Sequence, residues 1–207
     1  MPRFARSRFG LILLLGLSCL GTGLGTSAAR ADGAPADGVR ELDTALLDSM
    51  KNAQQLGVKG RYKKLEPVVL GVFDVPYMTK VAVGATWSTL TPDQKQRAWT
   101  AFGRFIIATY AAQFDGYSGQ DIQITGDQKV RHGTVVKTQL VKPGDDPVVL
   151  NYLVHDNDIG WQIRDIYLTG SISQIATRRS EFGSMIKSGG IENLITTLNK
   201  KADDLLG

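Results

Sequence analysis

The hydrophobic period of the chain changes twice, and that change sets what it can fold into. From Val39 to Phe114 apolar residues recur at three- and four-residue steps. Between Gln120 and Thr169 the runs are β-rich, and from about Ser171 the helical step returns. Helices, then strands, then helices predict one α+β domain, a single antiparallel sheet of about four strands packed against several helices.

The local signals place the elements. Val39, Leu42, Leu46, Met50, Ala53 and Leu56 predict one helix that Gly57 closes. The stretch 61–84 predicts two short helices, with Pro67 and Pro76 each in a first turn and Asp74 capping the second. Thr91 and Gln94 form a capping box, Pro92 sits at the first helical position, and Gly116 ends the helix they open. Four strands follow, over 120–127, 130–141, 147–156 and 160–169, with turns at 143–147 and 156–160. In the third, Val148, Leu150, Tyr152 and Val154 share one face. A helix from Ser171 presents Ile172, Ile175, Arg179, Phe182 and Ile186. Gly189 and Gly190 break it, and a last helix carries Ile191, Leu194, Ile195, Leu198 and Leu205.

One helix is apolar on too many sides. Ala98–Phe114 carries a single charge, Arg104, in 17 residues. Trp99, Phe102, Phe105, Ile106, Tyr110 and Phe114 make the expected stripe, and Ala101, Ile107, Ala108, Ala111 and Ala112 widen it to most of the circumference. A surface helix needs one apolar stripe. The rest of this helix covers either more protein or something greasy that is not protein.

The N-terminus reads as an export signal. Arg3, Arg6 and Arg8 precede an apolar run from Phe9, and Ala29 and Ala31 supply the small residues of a cleavage site. The expected division is a signal peptide over 1–31, a flexible leader over 32–38 and one domain over 39–207. Of 24 basic residues four lie before residue 32, and none of the 20 acidic ones does, so the remainder is formally neutral. The basic balance belongs to the signal and gives no footprint for nucleic acid. Cys19, the one cysteine, also lies in the signal. What remains has no disulfide framework, no thiolate nucleophile and no cysteine-based zinc site.

Motifs of chemistry are sparse. His132 and His155, each read as lying in a strand, have no compact metal spacing, and no catalytic or metal-ligating residue is assigned. The run His155–Asp158 is a hairpin turn or a hard-cation ligand set without the EF-hand spacing. No G-x-S-x-G elbow, P-loop or dinucleotide fingerprint occurs, and no cofactor is implied. Asp165 is either a general base facing an apolar cavity or a strand-end carboxylate that pairs with Arg or caps the backbone. Arg178 and Arg179 point about 100° apart on a helix, so one faces solvent while the other is free to approach an anionic head group.

Together these residues carry a resemblance. Phe73, Asp74, Met78, Gly84, Trp87, Gln96, Arg97, Phe105, Tyr110, Tyr117 and Gly119 follow the pattern of the MlaC, or toluene-tolerance Ttg2, family. The block 161–198 is similar to that family's ending, and the likeness runs from about residue 40 to 200. Where the family often has Gly-x-Ser, Gly170 and Ser173 here are three apart, which looks closer to the hopanoid-biosynthesis-associated HpnM branch. The resemblance implies a periplasmic carrier, not an enzyme, that holds a phospholipid or hopanoid-type lipid between sheet and helices. Its implied partners are an inner-membrane ABC-transporter complex and an outer-membrane acceptor complex or hopanoid-related exporter, with transient membrane contact. It implies a monomer that does not bind nucleic acid. Phe73, Met78, Val81, Phe102, Phe105, Ile106, Tyr110, Leu150 and Tyr152 become pocket candidates, each of them otherwise a core residue. Arg178 and Arg179 become head-group candidates.

Carrying such a ligand is demanding. Exposing ~30 lipid methylenes to water costs ~24 kcal/mol, which corresponds to on the order of 1,000 Å² of apolar burial. Several helices and a sheet face must cooperate to supply it. Two other readings remain at this stage, a non-catalytic accessory protein of a membrane lipid-biosynthesis or transport complex and a small cavity enzyme acting on a hydrophobic substrate.

Overall fold

The computed structural model describes residues 33–207; the expected signal peptide and Asp32 lie outside the described residues. In chain order the elements are α1 (Asp37–Lys51), α2 (Ala53–Val72), α3 (Val75–Val83), a 3-10 turn (Gly84–Thr89) and α4 (Pro92–Gln113). The strands β1 (Asp121–Val130), β2 (Gly133–Val141), β3 (Val148–Asn157), β4 (Gly160–Leu168) and β5 (Ile172–Ser173) follow, and α5 (Gln174–Leu206) closes the chain.

The first helices differ from the sequence expectation at two points. The helix expected to run to Gly57 ends at Lys51, where the Asn52 amide donates to the Asp48 carbonyl and carboxylate and competes with the backbone ladder. Gly57 sits inside α2 at φ +59°, as a kink rather than a stop. Pro67 also lies inside α2 and does not open a new helix. The carbonyl it leaves without a helical partner belongs to Lys63, and both residues are exposed, so water serves it. Further on, the local chemistry acts as read. Asp74 accepts the Tyr77 N–H at 3.1 Å, and Thr91 and Gln94 cap α4 reciprocally.

The five strands form an antiparallel meander in the order β1-β2-β3-β4-β5. Tyr152 of β3 stands opposite Val136 on one side and Ile166 on the other, so the inner face is built by register. A register shift at Leu153/Val154 turns both Ile163 and Ile166 inward. His132 lies in the two-residue turn between β1 and β2 rather than in a strand, and its carbonyl is 3.3 Å from Nδ1 of His155 in β3. Ile172, expected on a helix face, is an exposed residue of β5. The reason is Asp165, whose carboxylate accepts from the Ser173 hydroxyl and from the Ile175 N–H at 3.0 Å. That clasp fixes the helix start at Gln174.

The core lies between the inner sheet face and the helices. α5 is bent at Gly189–Gly190, where Gly190 takes φ +71°, a conformation other residues adopt at a cost. α4 packs on α5 through Phe102 edge-on to Phe182 at 5.1 Å, and through the ion pairs Arg97–Glu192 and Arg104–Asp203. On its other flank it meets α2. A side chain at Gly103 would touch Leu70 and Val75 at 3.5 Å, and buried Arg61 donates to the Ala111 carbonyl at 2.7 Å. Protein therefore covers two flanks of this greasy helix.

Candidate functional site

A third flank of α4 faces a cavity of about 190 Å³ between α4, the start of α5 and strands β3 and β4. Phe102, Phe105, Ile106 and Tyr110 project into it at helical spacing, and Leu150 and Tyr152 meet them from alternate positions of β3. Phe73 and Met78 close a further side. Eight of the nine residues expected to line a pocket thus stand around one space.

The ninth, Val81, does not. The buried stripe of α3 runs through Val75, Met78, Thr79 and Ala82, and Val81 lies off it. Of the two arginines, Arg178 lines the cavity, while the Arg179 guanidinium lies beside Gly84 and donates to the Val81 carbonyl at 3.2 Å. The angle between successive helix positions separates the pair.

Sequence reading missed Thr109, Gln113, Phe114, Ile166, Leu168, Gln174 and Ile175, all of which line the cavity. The signal was present. Phe114 continues the step from Ile106 through Tyr110, Thr109 and Gln113 follow Phe105 at four-residue steps, and Ile166 and Leu168 are the register partners of Tyr152 and Leu150.

Polar groups in this space are neutral, satisfied or at its mouth. The Thr109 hydroxyl donates to the Phe105 carbonyl at 2.7 Å. Burial pushes the Tyr110 and Tyr152 phenols up, with the Asp43 carboxylate adding to both. Both therefore stay protonated and neither serves as a base. The Arg178 guanidinium pairs with Glu181 at 2.7 Å and lies 5.2 Å from the centre of the Phe105 ring, with the Lys201 ammonium 6.0 Å from the same ring. Arg178, partly exposed and paired with Glu181, is the one cation of the lining, and the remaining lining residues are apolar or neutral.

Asp43 of α1, outside the cavity lining, differs. It is 5 % exposed, and both carboxylate oxygens are buried without a hydrogen-bond partner. Burial raises its pKa to about 7. The sequence held the clue, since Asp43 falls in the apolar stripe of Val39, Leu42 and Leu46.

The other chemical candidates are spent on structure. Asp165 caps the start of α5, and Asn157 ties the β3–β4 turn by accepting the Ile159 N–H at 3.0 Å and donating to Gln162 at 2.8 Å. Among the described residues no group of three His, Cys, Asp or Glu side chains could hold a metal ion, and no helix is long and apolar enough to cross a membrane. The geometry provides a place for an apolar group with a cationic rim.

Along another face of α4 lies a groove of about 760 Å³, bounded by α2, the α2–α3 junction and the β3–β4 turn. Tyr62, Glu66, Leu70, Trp99, Arg104 and Ile159 stand along it. Among the described residues Phe73 alone lines both spaces.

Residues 40–200 match the family model described as MlaC protein. The structure is also similar to that of a phospholipid-binding protein from Ralstonia solanacearum solved in complex with a phospholipid. The two are 23% identical with a TM-score of 0.73, over 84% of this chain and 100% of that one. At that identity the likeness establishes the fold.

Proposed function

The chain belongs to the MlaC family, and from that premise we propose that it is a periplasmic lipid carrier rather than an enzyme. It takes lipid acyl chain into the space between α4 and the sheet and shuttles it between an inner-membrane ABC-transporter complex and an outer-membrane acceptor. The observation that carries this reading is the cavity itself, whose inner walls are apolar side chains from three layers and whose one lining cation, Arg178, stands at the mouth. The shared fold with a protein solved around a phospholipid supports it. So does the N-terminal stretch, which reads as an export signal removed after Ala31.

The residues give the parts of the task. Phe102, Phe105, Ile106, Tyr110, Leu150 and Tyr152 replace water around the chain, and Arg178 offers a charge to a phosphate head group. A carrier that offsets ~24 kcal/mol of tail hydration does not release its cargo into water at a useful rate. Transfer therefore takes place in direct contact with the acceptor complex. The cationic mouth favours a phospholipid over the neutral, ring-based hopanoid that the Gly170–Ser173 spacing raised.

Organic extraction of the purified protein, followed by mass spectrometry, tests the reading. Near-stoichiometric phospholipid is the expected result. Hopanoid at that level would keep the carrier and change its cargo, and a folded protein free of any lipid would overturn the reading.

A further inference from the structure

We propose that the outer face of the sheet is a docking trough for a protein partner that presents an extended acidic segment, held by Arg131, Lys137 and Asn151. The inference goes beyond the carrier reading. The trough lies on the sheet face turned away from the cavity and does not depend on what the cavity holds.

The first ground is how the face is built. Val136 and Tyr152 are buried in the core, so their neighbours Val135, Lys137, Asn151 and Leu153 point the other way. The register sets these in two rows. Val135 stands opposite Leu153, and Asn151 stands between Lys137 and Tyr167. Arg131 and His132 of the β1–β2 turn and the segment at Gly170 complete a trough of about 440 Å³. An antiparallel sheet commonly turns a polar, solvated face outward. Here Val135 and Leu153 lie side by side in the floor, with Val130 40 % exposed beside them.

The second ground is charge. No Asp or Glu lines the trough. Arg97, Arg104, Arg164 and Arg178 each hold a carboxylate. Among the described residues neither Arg131 nor Lys137 does. The Asp165 carboxylate is taken by the Ser173 hydroxyl and the Ile175 N–H. Burial, with Asp165 adding, pushes the Tyr167 phenol up, so Tyr167 stays a hydrogen-bond donor. Two cations and a phenol without an acceptor in the lining match carboxylates brought from outside.

The third ground is Asn151, which points to what carries those carboxylates. Its Oδ1 is buried without a hydrogen-bond partner, an orphan acceptor in the middle of the floor. A half-turn about χ2 exchanges the carbonyl and amino ends of the amide, so either is offered to an incoming group. A peptide group has the matching N–H and C=O. A flat lipid surface supplies anionic acceptors for Arg131 and Lys137 but does not fill a concave floor. An extended acidic peptide supplies backbone for Asn151, apolar side chains for Val135 and Leu153, and carboxylates for the two cations.

The test titrates the isotope-labelled full protein with a short peptide of alternating valine and glutamate and follows the amide signals by NMR. Shifts at Lys137, Asn151 and Leu153, with the Asn151 side-chain amide among them, are the expected result. Lys137→Glu, at an exposed site where folding is not at risk, is expected to weaken the peptide by ~fivefold or more. A peptide of alternating valine and lysine is expected to leave the same amides unmoved. Equal shifts with both peptides, or none in the trough with either, would overturn the inference. Inorganic phosphate that reproduces the shifts would reduce the face to an anion patch. Phosphatidylglycerol vesicles that perturb these amides where the acidic peptide does not would make it a membrane contact. Absence of any lipid from the purified protein would remove the carrier reading and leave this one standing.

Discussion

The two open sides of α4 treat polar groups differently. Toward the cavity, Thr109 folds its hydroxyl back onto its own helix, and Tyr110 and Tyr152 keep their protons. Toward the groove, Glu66 and Arg104 stand in the lining with their charges intact. The difference follows from water. A polar atom that its neighbours bury must be satisfied internally or stay neutral, whereas one left partly exposed keeps its solvation. The same helix can therefore be greasy on nearly every side and still have one stringent face and one tolerant face.

The largest expected effect lies on the stringent face. Phe102→Ala removes a ring packed on Phe182 and is expected to destabilise the lipid-free protein by ~3–5 kcal/mol, measured by urea denaturation. A loss below ~1 kcal/mol would mean that this face collapses easily and is not stringent.

Asp43, buried on α1 and lining neither space, sharpens the comparison. Its folded pKa, about 7, lies above the ordinary 3.8, so the native state holds a proton that the unfolded chain has released. Stability then falls as pH rises between those two values and levels off above the higher one. Asp43→Asn is expected to gain ~2–4 kcal/mol at about pH 8 and almost nothing at about pH 4. Denaturant midpoints of both proteins at the two pH values check this, and an equal shift at both would show that the carboxyl does not titrate as its burial requires.

The smallest effect belongs to the tolerant face. Leu70→Ala should change stability by no more than ~0.5 kcal/mol, because the side chain is half-exposed. A loss in the range of Phe102→Ala would erase the distinction between the faces.

Much of this architecture was legible because local chemistry agreed with the global fold. The capping box at Thr91, the Asp74 cap, the break at Gly189–Gly190 and the inward face of β3 all act as their residue types dictate. What was not legible depended on partners distant in sequence or on solvent. Pro67 is tolerated inside α2 because the carbonyl it strands faces water, which no local pattern records. The two-residue β5 exists because Asp165 reaches across a turn to Ser173. Phe102, Phe105, Ile106 and Tyr110 belong to the helix with the apolar surplus and the other candidates came from the family resemblance, yet periodicity alone did not separate Val81 from Met78 or Arg179 from Arg178. Helix rotation relative to its neighbours decides that, and rotation is a property of packing. Asp43 was not legible because its neighbours Val39, Leu42 and Leu46 give the same apolar period with or without it.

The bend in α5 has a mechanical meaning. A straight helix transmits force along its axis, so a push at one end arrives at the other. At Gly189–Gly190 the 33-residue rod becomes two levers sharing one joint. The C-terminal lever, carrying Glu192 and Asp203, is bolted to α4. The N-terminal lever carries Arg178 at the mouth of the cavity. A load on the first lever therefore meets the glycine joint before it reaches the clamped second one, and the resistance of the first lever itself is set by the buried Phe182 ring against Phe102 and by the Asp165 clasp at Ile175.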